Sequence, residues 1–379
     1  MRKAGVLVLV LVGLLMGIVY MYSCEGGNGG QETVSVEGSW YLYYIPDGAV
    51  AEEFPIHMTL TQSGTDVTAE FTCNDSMPIG NGTFDGTDLN IIFDFGQDGT
   101  LEISGMYQGG VFSGTFTQGT ESGTWRFEET VDLDCSGACN PVEAVKFVAS
   151  DFIDLGKINE ISLFRSAAGH DYSDDCESCR SMKHYYAPYD VYIDNSTVEI
   201  YTPVDGTISS INTEQHGDTG DGINKQILIR SDDQPDYAFV IFHTDLTPEA
   251  NSVGKNVTAG DLIGYAHMYN VSLDEYSHDC DIAVRVYTPY GIRNVSFFEV
   301  MVDPLFAEYE ARGAVATSDF IISRSARDAD ELTCDGETFT STGTLDIWFP
   351  LDPKGGGAFC ESDVECLSGS CLGNICTTP

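Results

Sequence analysis

Positively charged side chains are scarce in this sequence. Among its 379 residues, 17 are Lys or Arg and 59 are Asp or Glu, which gives a formal net charge of −42 at pH 7. Because a surface of that sign repels phosphate groups, nucleic acid and anionic lipid are disfavoured as partners. The same repulsion weighs mildly against tight docking on an anionic cell wall. The charge is typical of a protein that stays soluble in a salty or calcium-rich exterior.

Long apolar runs are scarce as well. The main one covers residues 5–19 and follows the basic start Met1-Arg2-Lys3. A basic segment before an apolar run of this length is typical of a secretion signal, and the run is short for a membrane-spanning helix. We therefore expect the body of the protein to be exported.

A cysteine ends this leader. Ser23-Cys24 and the Gly-rich residues that follow resemble the processing site of bacterial lipoproteins. The resemblance implies a signal peptide over residues 1–24, a lipid anchor on Cys24 and a flexible tether over residues 25–35. An uncleaved anchor or simple secretion is the alternative. We expect a membrane-anchored lipoprotein of the cell envelope that faces the periplasm or the cell exterior.

Strong helix formers are also few, whereas Val, Ile, Thr, Tyr and Phe dominate the periodic stretches. Over residues 36–130, short alternating runs are separated by Gly-rich turns about ten residues apart, a spacing that predicts a β-meander closing into a barrel or sandwich. This segment opens on Gly38-Ser39-Trp40 and closes on Gly123-Thr124-Trp125. It resembles the lipocalin-like domains of exported bacterial proteins. A cup for a small ligand is one interpretation, and a filled barrel that acts as a spacer is the one favoured here.

Residues 131–160 predict a linker and a helix. Cys135-x3-Cys139 either closes a small loop or joins the two flanking domains. Apolar side chains from position 142 to position 152 fall roughly on one helical face, which predicts a helix over residues 141–155.

Four segments of the central region, residues 161–353, stand out, and they follow one another in a fixed order. They are Gly-His-Asp-Tyr-Ser-Asp at 169–174, Ile-Tyr-Thr-Pro-Val-Asp-Gly-Thr-Ile at 200–208, the apolar strand at 239–246 with the Gly-rich turns at 254–264, and Asp-Cys-Asp-Ile-Ala-Val-Arg-Val at 279–286. Together they resemble the lysostaphin-type (LytM-like) zinc endopeptidases of bacterial cell walls. The resemblance implies a small all-β domain, the duplicated hybrid motif.

The same resemblance implies a metal site. His170 and Asp174 keep the four-residue spacing of two zinc ligands in that family, and Asp281 stands where the family has its third ligand. Zinc with three protein ligands and one open position lowers the pKa of bound water and polarises a peptide carbonyl. Zinc is therefore the expected cofactor if the domain is an enzyme, with His243 and His278 as the candidate catalytic residues for proton transfer.

The chain departs from the family pattern at these motifs. Tyr172 holds the place of a Gly in the first motif, and Asp279 replaces the His expected to act as general base. His278 lies one residue out of register. The scaffold motifs are therefore intact and the catalytic motifs are not.

Two further features lie after the first motif. Arg180, Lys183 and His184 form the densest basic group in this acidic chain, which indicates either a pocket for a carboxylate or phosphate or local charge balance. Cys176-x-x-Cys179 is either a thiolate or redox pair or, as favoured here, a source of structural disulfides, with Cys280 and Cys334 as partners.

Twelve cysteines fit an oxidising exterior. Residues 354–379 form a Cys-rich module after a Gly-rich stretch, and short spacing predicts that its four cysteines pair among themselves. If Cys24 carries a lipid, one of the remaining thiols is unpaired. The disulfide candidates are Cys135, Cys139, Cys176, Cys179, Cys280, Cys334, Cys360, Cys366, Cys371 and Cys376.

The sequence thus predicts a mainly β protein with an N-terminal β-meander barrel or sandwich, a central duplicated-hybrid-motif β domain and a small disulfide-rich C-terminal tail. We expect an exported envelope protein whose peptidase-like domain is non-catalytic or repurposed for binding an envelope component or extracellular peptide. The alternative is an active zinc metallopeptidase or amidase that acts on peptidoglycan or other envelope peptides.

Overall fold

The computed structural model describes residues 34–47, 55–74, 77–96, 99–108, 111–119, 121–193, 197–213, 224–270, 275–276, 280–355, 360–366 and 368–378. The leader, the predicted anchor Cys24, His278 and Asp279 lie outside these residues. The predicted fold class is confirmed: the chain is mainly β and begins with a closed eight-stranded antiparallel barrel. Within the described residues, no helix is both long and apolar enough to cross a membrane.

The barrel closes because its first and last strands pair along their whole length, from Ser39 opposite Thr130 to Pro46 opposite Gly123. Apolar side chains alternate along its strands as a half-buried sheet requires, and Leu89, Ile91 and Phe93 all point inward. Its strands are β1 Gly38–Pro46, β2 Ile56–Ser63, β3 Asp66–Phe71, β4 Gly80–Phe84, β5 Asp88–Asp94, β6 Thr100–Gln108, β7 Val111–Gln118 and β8 Glu121–Thr130.

The predicted helix over residues 141–155 is wrong. This segment is extended, and it makes isolated β-bridges from Val148 to Met301 and from Ile153 to Ile200. Val148, Phe152 and Ile153 are all buried in the main core. Pairing with the neighbouring strands satisfies the backbone here, so tertiary contacts override the helical spacing.

The central region is built on one large sheet, whose main path runs β15-β12-β13-β14-β19-β10-β9-β23. Strands β11 and β16 pair with each other, and β20 pairs with β19. The bounds are β9 Ile158–Ser162, β10 His184–Pro188, β11 Glu199–Tyr201, β12 Gly206–Thr213, β13 Asn224–Ser231, β14 Tyr237–Leu246, β15 Asn256–Val257, β16 Leu262–Ala266, β19 Cys280–Thr288, β20 Gly291–Val295 and β23 Trp348–Pro350.

Small elements complete the chain. The helices are α1 Phe297–Val300, α2 Asp303–Glu310 and α3 Arg324–Ala329, and short 3-10 turns cover Cys135–Gly137, Leu155–Lys157, Asp190–Tyr192, Thr317–Phe320 and Asp363–Glu365. The two-residue strands pair as hairpins, namely β17 Tyr269–Asn270 with β18 Glu275–Tyr276, β21 Cys334–Asp335 with β22 Thr338–Phe339, and β24 Cys371–Leu372 with β25 Ile375–Cys376.

The two faces of the large sheet differ in size and polarity. On β14 and β19, Phe239, Ile241 and Ile282 point into the main core, which the helices cover. The opposite face carries a small apolar cluster that includes Val240 and Phe242. Because side chains alternate along a strand, Asp281 lies on this second face next to that cluster.

Five disulfides cross-link the described residues. Cys73–Cys135 joins the barrel to the linker and Cys139–Cys176 joins the linker to the central domain, so the linker cysteines connect two domains rather than closing a small loop. The other bonds are Cys179–Cys334, Cys360–Cys371 and Cys366–Cys376, and the last two confirm that the terminal cysteines pair among themselves. This many disulfides is typical of an extracytoplasmic protein.

Two cysteine interpretations need correction. Cys280, a disulfide candidate, is in no disulfide, because β19 places it in the main core, where its Sγ lies 3.5 Å from the carbonyl oxygen of Phe242. Cys176 and Cys179 bond to different partners, so they do not form a redox pair.

The Cys-rich tail packs against the central domain. Glu365 is almost fully buried and its carboxylate accepts hydrogen bonds from the Tyr192 hydroxyl and, at 2.5 Å, from Lys354 Nζ. Glu361 adds an ion pair to Lys157 at 3.1 Å. The module is therefore docked through buried charge instead of through an apolar surface.

Candidate functional site

A buried ion pair lies at the centre of the second sheet face. Lys183 Nζ is 2.5 Å from Asp281 Oδ2, and both side chains are almost completely excluded from solvent. Lys183 comes directly before β10, and Tyr185 lies opposite Asp281 in the pairing of β10 with β19. Alternation therefore places Lys183, Tyr185 and Asp281 on the same face.

His170 contacts the ammonium of this pair. Its Nε2 lies 3.1 Å from Lys183 Nζ, and its Nδ1 lies 2.9 Å from the carbonyl oxygen of Asp171. Burial and then the charge of Lys183 lower the pKa of His170 below its ordinary value. The imidazole is therefore neutral at pH 7, so it donates Nδ1–H to Asp171 and accepts from Lys183 at Nε2.

His243 approaches the pair from the other side. Its Nε2 is 3.7 Å from Asp281 Oδ1. The pairing register of β13 with β14 shifts here, so that Phe242 and His243 together oppose Gln226. His243 has a φ of 51°, which marks the residue as part of a β-bulge. The bulge aims two consecutive side chains at the same face, where an ordinary strand would aim one.

Other contacts fix the backbone of His243. The N–H of His267 donates to the carbonyl oxygen of His243 at 2.6 Å, and the His267 ring in turn contacts Asp245 Oδ1 through Nδ1 at 2.7 Å. Asn224 Nδ2 lies 3.5 Å from His243 Nδ1. The bulge is thus held by a polar network from β13, β14 and the segment after β16.

Aromatic rings enclose the ammonium. Lys183 Nζ lies 5.0 Å, 4.8 Å and 4.3 Å from the ring centroids of Tyr172, Tyr185 and Phe242. These distances are within the range of cation–π attraction. Tyr172 also accepts a hydrogen bond from Arg285 Nη2 at 2.7 Å. The first motif therefore supplies one wall of a cage around a built-in cation.

The charge state of Lys183 follows from this environment. Burial alone would lower its pKa, but the Asp281 carboxylate and the Tyr185 phenol outweigh it and raise the pKa above the ordinary value. Lys183 is therefore protonated at neutral pH. The Lys183–Asp281 pair has no net charge, and the two histidines beside it form the more exposed part of the site, with side chains 43% and 27% exposed.

Asp174, expected as a metal ligand, lies elsewhere. Its Oδ1 accepts a hydrogen bond from the N–H of Cys176 at 2.9 Å, and its Oδ2 accepts one from the N–H of Asn294 at 3.1 Å. Both carboxylate oxygens are thus used to tie the loop to β20. The four-residue spacing from His170 does not bring the two side chains to a common point, because this loop is not a regular strand.

The predicted anion pocket does not form either. Arg180 donates to Glu177 and Asp328, and Lys183 pairs with Asp281. His184 is buried on the core side, where its Nδ1 contacts the carbonyl oxygen of Ser162 at 2.8 Å. Each basic group has its own partner, and the alternation along β10 directs Lys183 and His184 to opposite faces.

The site does not fit a divalent metal ion. Asp281, His170 and His243 carry donor atoms that could bind a metal, yet the ammonium of Lys183 lies between Asp281 Oδ2 and His170 Nε2. A divalent cation there would meet a fixed positive charge and a carboxylate that is already neutralised. Elsewhere in the described residues, one group of side chains with possible metal-ligand atoms lies close together, namely Cys360, Cys366 and Cys376. All three are in disulfides.

Lys183 is the residue whose role the sequence did not reveal. A signal was present, since Met182-Lys183-His184-Tyr185-Tyr186 places a lysine within an otherwise apolar, β-forming run. A charged side chain in such a run needs a buried partner of opposite sign. Asp281 lies in another largely apolar run, Cys280 to Val286, and so was a candidate for the buried negative partner of Lys183.

Comparisons with known proteins show no family for this chain. No family model matches the chain, and no curated protein matches it. Two crystal structures of Csd3 from Helicobacter pylori resemble it over 66% of this chain, with 9% and 8% sequence identity, and cover 77% and 75% of the Csd3 chains. The TM-score is 0.29 in both cases, and at this level the likeness carries no argument about fold or function.

Proposed function

We propose that this chain is an exported cell-envelope protein whose lysostaphin-type β domain is non-catalytic and serves in binding. The observation that supports the proposal is the ammonium of Lys183 between Asp281 Oδ2 and His170 Nε2. A lysine in that place supplies a cation that cannot exchange ligands, so it cannot activate a water molecule as a zinc ion does.

Binding suits the remaining groups of the site. The half-exposed His243 ring offers a hydrogen bond, and His170 offers the carbon edge of its ring, because both of its nitrogens already have partners. The rings of Tyr172 and Phe242 lie beside these two histidines and form an apolar floor. A neutral polar rim around an aromatic floor is suited to a peptide or a similar uncharged segment. We propose an envelope peptide, or an extracellular one, as the ligand of this site.

Metal content tests the non-catalytic part. We expect the purified protein, prepared without chelators, to contain far less than one zinc per chain by elemental analysis. Lys183→Ala removes the ammonium and exposes the Asp281 charge, so added zinc should raise the melting temperature of this variant and leave the natural protein unchanged. One tightly bound zinc per chain in the natural protein, with hydrolysis of peptidoglycan, would support the metallopeptidase or amidase alternative.

Co-sedimentation with insoluble peptidoglycan tests the binding part. We expect the natural protein to sediment with peptidoglycan and His243→Ala to do so much less, because His243 lies at the exposed rim of the site. Lys146→Ala is the control, since Lys146 forms a surface ion pair with Asp303, and such pairs contribute little. Equal sedimentation of the two variants would place the binding surface elsewhere.

We also propose that a lipid on Cys24 anchors the protein to a membrane. In a bacterial host, Cys24→Ser should shift the protein from the membrane fraction to the soluble fraction, because the thiol that carries the lipid is lost. Unchanged fractionation of the variant would rule out lipidation as the anchor.

A further inference from the structure

Among the described residues, the barrel interior is filled over one part of its length and holds a cavity at another. Leu60, Phe84 and Leu89 are fully buried and fill the interior. Towards the end where β1 stops and β2 starts, a cavity of about 270 Å³ remains. It is lined by Leu42, Tyr44, Pro46, Ile56, Phe71, Met77, Phe95, Leu101, Ile103, Phe116, Gln118 and Trp125.

Among the described residues, the lining is apolar and carries no charge. Besides the indole of Trp125, the polar groups of the described lining are those of Gln118 and Tyr44. Trp125 Nε1 donates to the carbonyl oxygens of Ser104 and Thr115 at 3.2 Å and 3.0 Å, so the ring presents carbon to the cavity. A charged ligand would lose its hydration here without gaining a partner, whereas an uncharged apolar one would not.

A smaller cavity of about 120 Å³ adjoins this one at the junction with the central domain. Tyr44, Ile56, Phe71 and Met77 line both cavities. The barrel side of the smaller cavity also includes Thr72 and Asn74, and its far side is lined by Asp175, Thr288 and the turn between β19 and β20. The two cavities therefore share one wall of apolar and aromatic side chains.

The disulfides hold this end of the barrel in place. Cys73, which follows the cavity residue Phe71 by two positions, is bonded to Cys135 of the linker, and Cys139 of the same linker is bonded to Cys176. Both walls of the smaller cavity are thus covalently tied to one short segment. A site that is already ordered loses less entropy when a ligand binds.

We propose that this end of the barrel binds an uncharged apolar molecule of about the size of a two-ring aromatic, held in the larger cavity. The cavity volume of about 270 Å³ suits a ligand of this size, since a dry cavity of about 150 Å³ holds benzene. The charge agrees too, because a net charge of −42 repels an anionic amphiphile. This site is independent of the site in the central domain.

Two fluorescent probes of similar shape and different charge test the proposal. N-phenylnaphthylamine is uncharged, and anilinonaphthalene sulfonate adds an anionic group to nearly the same ring system. We expect the uncharged probe to bind the purified protein saturably with one site per chain. The sulfonate should bind more weakly by about tenfold or more at low salt, because burial and repulsion both oppose its charge.

Cavity-filling variants locate the site. Leu101→Trp and Met77→Trp each place a large ring in the cavity, and each should weaken binding of the uncharged probe by about tenfold or more, since the ring takes the ligand's space. Val111→Trp is the matched control, because Val111 lines the opposite end of the barrel. Thermal melting shows whether each variant is folded. Two filling positions are used so that the test still works if one variant does not fold.

The outcomes separate clearly. Binding that both folded filling variants weaken and the control retains would support the site. Absence of saturable binding, binding that the folded filling variants retain, or equal affinity for the two probes at low salt would overturn it. Because the residues of the central-domain site are unchanged in all these proteins, failure here leaves the proposed function of the central domain standing.

Discussion

At the residue scale, the Lys183–Asp281 pair decides the chemistry of the central domain. Desolvating two charges opposes their attraction, so a buried ion pair adds little net stability compared with apolar residues of the same shape. Removing one partner is different, because the other charge is then buried alone. The pair therefore fixes the arrangement of Tyr172, His170 and Phe242 around it more than it stabilises the fold.

Lys183→Met should lower the free energy of unfolding by about 3–5 kcal/mol, because Asp281 stays buried without a counter-charge. The double variant Lys183→Met with Asp281→Leu should regain most of that loss, because no charge is left in the site. Urea unfolding at neutral pH measures both.

A double variant no more stable than Lys183→Met alone would contradict this account. It would mean that the packing of Lys183 against the aromatic rings, instead of its charge, carries the stability.

A second residue-scale prediction concerns acid. Burial lowers the pKa of His184 to about 4, with its Nδ1–H donated to Ser162 and its Nε2 accepting from Ser296 Oγ at 2.7 Å. Since the unfolded chain binds this proton near pH 6.5, the folded state should lose stability as the pH falls from about 6.5 to about 4. The loss is of order 3 kcal/mol.

His184→Gln is the comparison, because an amide keeps a donor and an acceptor but does not titrate in this range. Urea unfolding of both proteins between pH 7 and pH 4 should show a smaller loss for the variant. Parallel pH curves would show that His184 is not the group responsible.

At the element scale, two local devices build the site. The start of β10 sends Lys183 to the site and His184 to the core, and the bulge at Phe242 and His243 adds a histidine that regular alternation would have turned away. The same alternation keeps the residues on either side of Asp281 in the main core. The site therefore depends on backbone register as much as on residue type.

The docking of the tail is also an element-scale feature. Glu365→Gln should weaken docking and lower the free energy of unfolding by about 1.5–3 kcal/mol, because it removes a buried charge that binds Lys354 and Tyr192. Glu361→Gln is the control four residues away. Its ion pair with Lys157 is more exposed on the Glu361 side, so its effect should be below about 1 kcal/mol.

Chemical denaturation and the rate of proteolysis near residue 355 measure these two variants. Equal effects of the two substitutions would indicate that the buried position of Glu365 is unimportant for docking.

At the scale of the whole molecule, the large negative charge opposes compaction. With 59 acidic and 17 basic residues, the folded chain repels itself, and salt screens this repulsion. We expect the melting temperature to rise clearly between low salt and physiological sodium chloride. A sucrose solution of matched osmolarity is the control, since it does not screen charge. The absence of a salt effect beyond that of sucrose would show that the acidic groups are too dispersed to matter.

The sequence by itself determined the class of fold. Alternating β-forming runs and regularly spaced turns predict the strands of the barrel and of the large sheet, because strand periodicity is a local property of the chain. Cysteine spacing likewise predicted the pairing within the tail, where Cys360, Cys366, Cys371 and Cys376 have little reach to other partners.

The tertiary structure alone decided the candidate site. The chain spacing of His170 and Asp174 suggested two ligands of one metal, but loop geometry sends Asp174 to the backbone of β20. Lys183 and Asp281 are 98 positions apart in the sequence, and only the pairing of β10 with β19 brings their charges to 2.5 Å. Contacts between distant strands depend on register, which a local pattern does not contain.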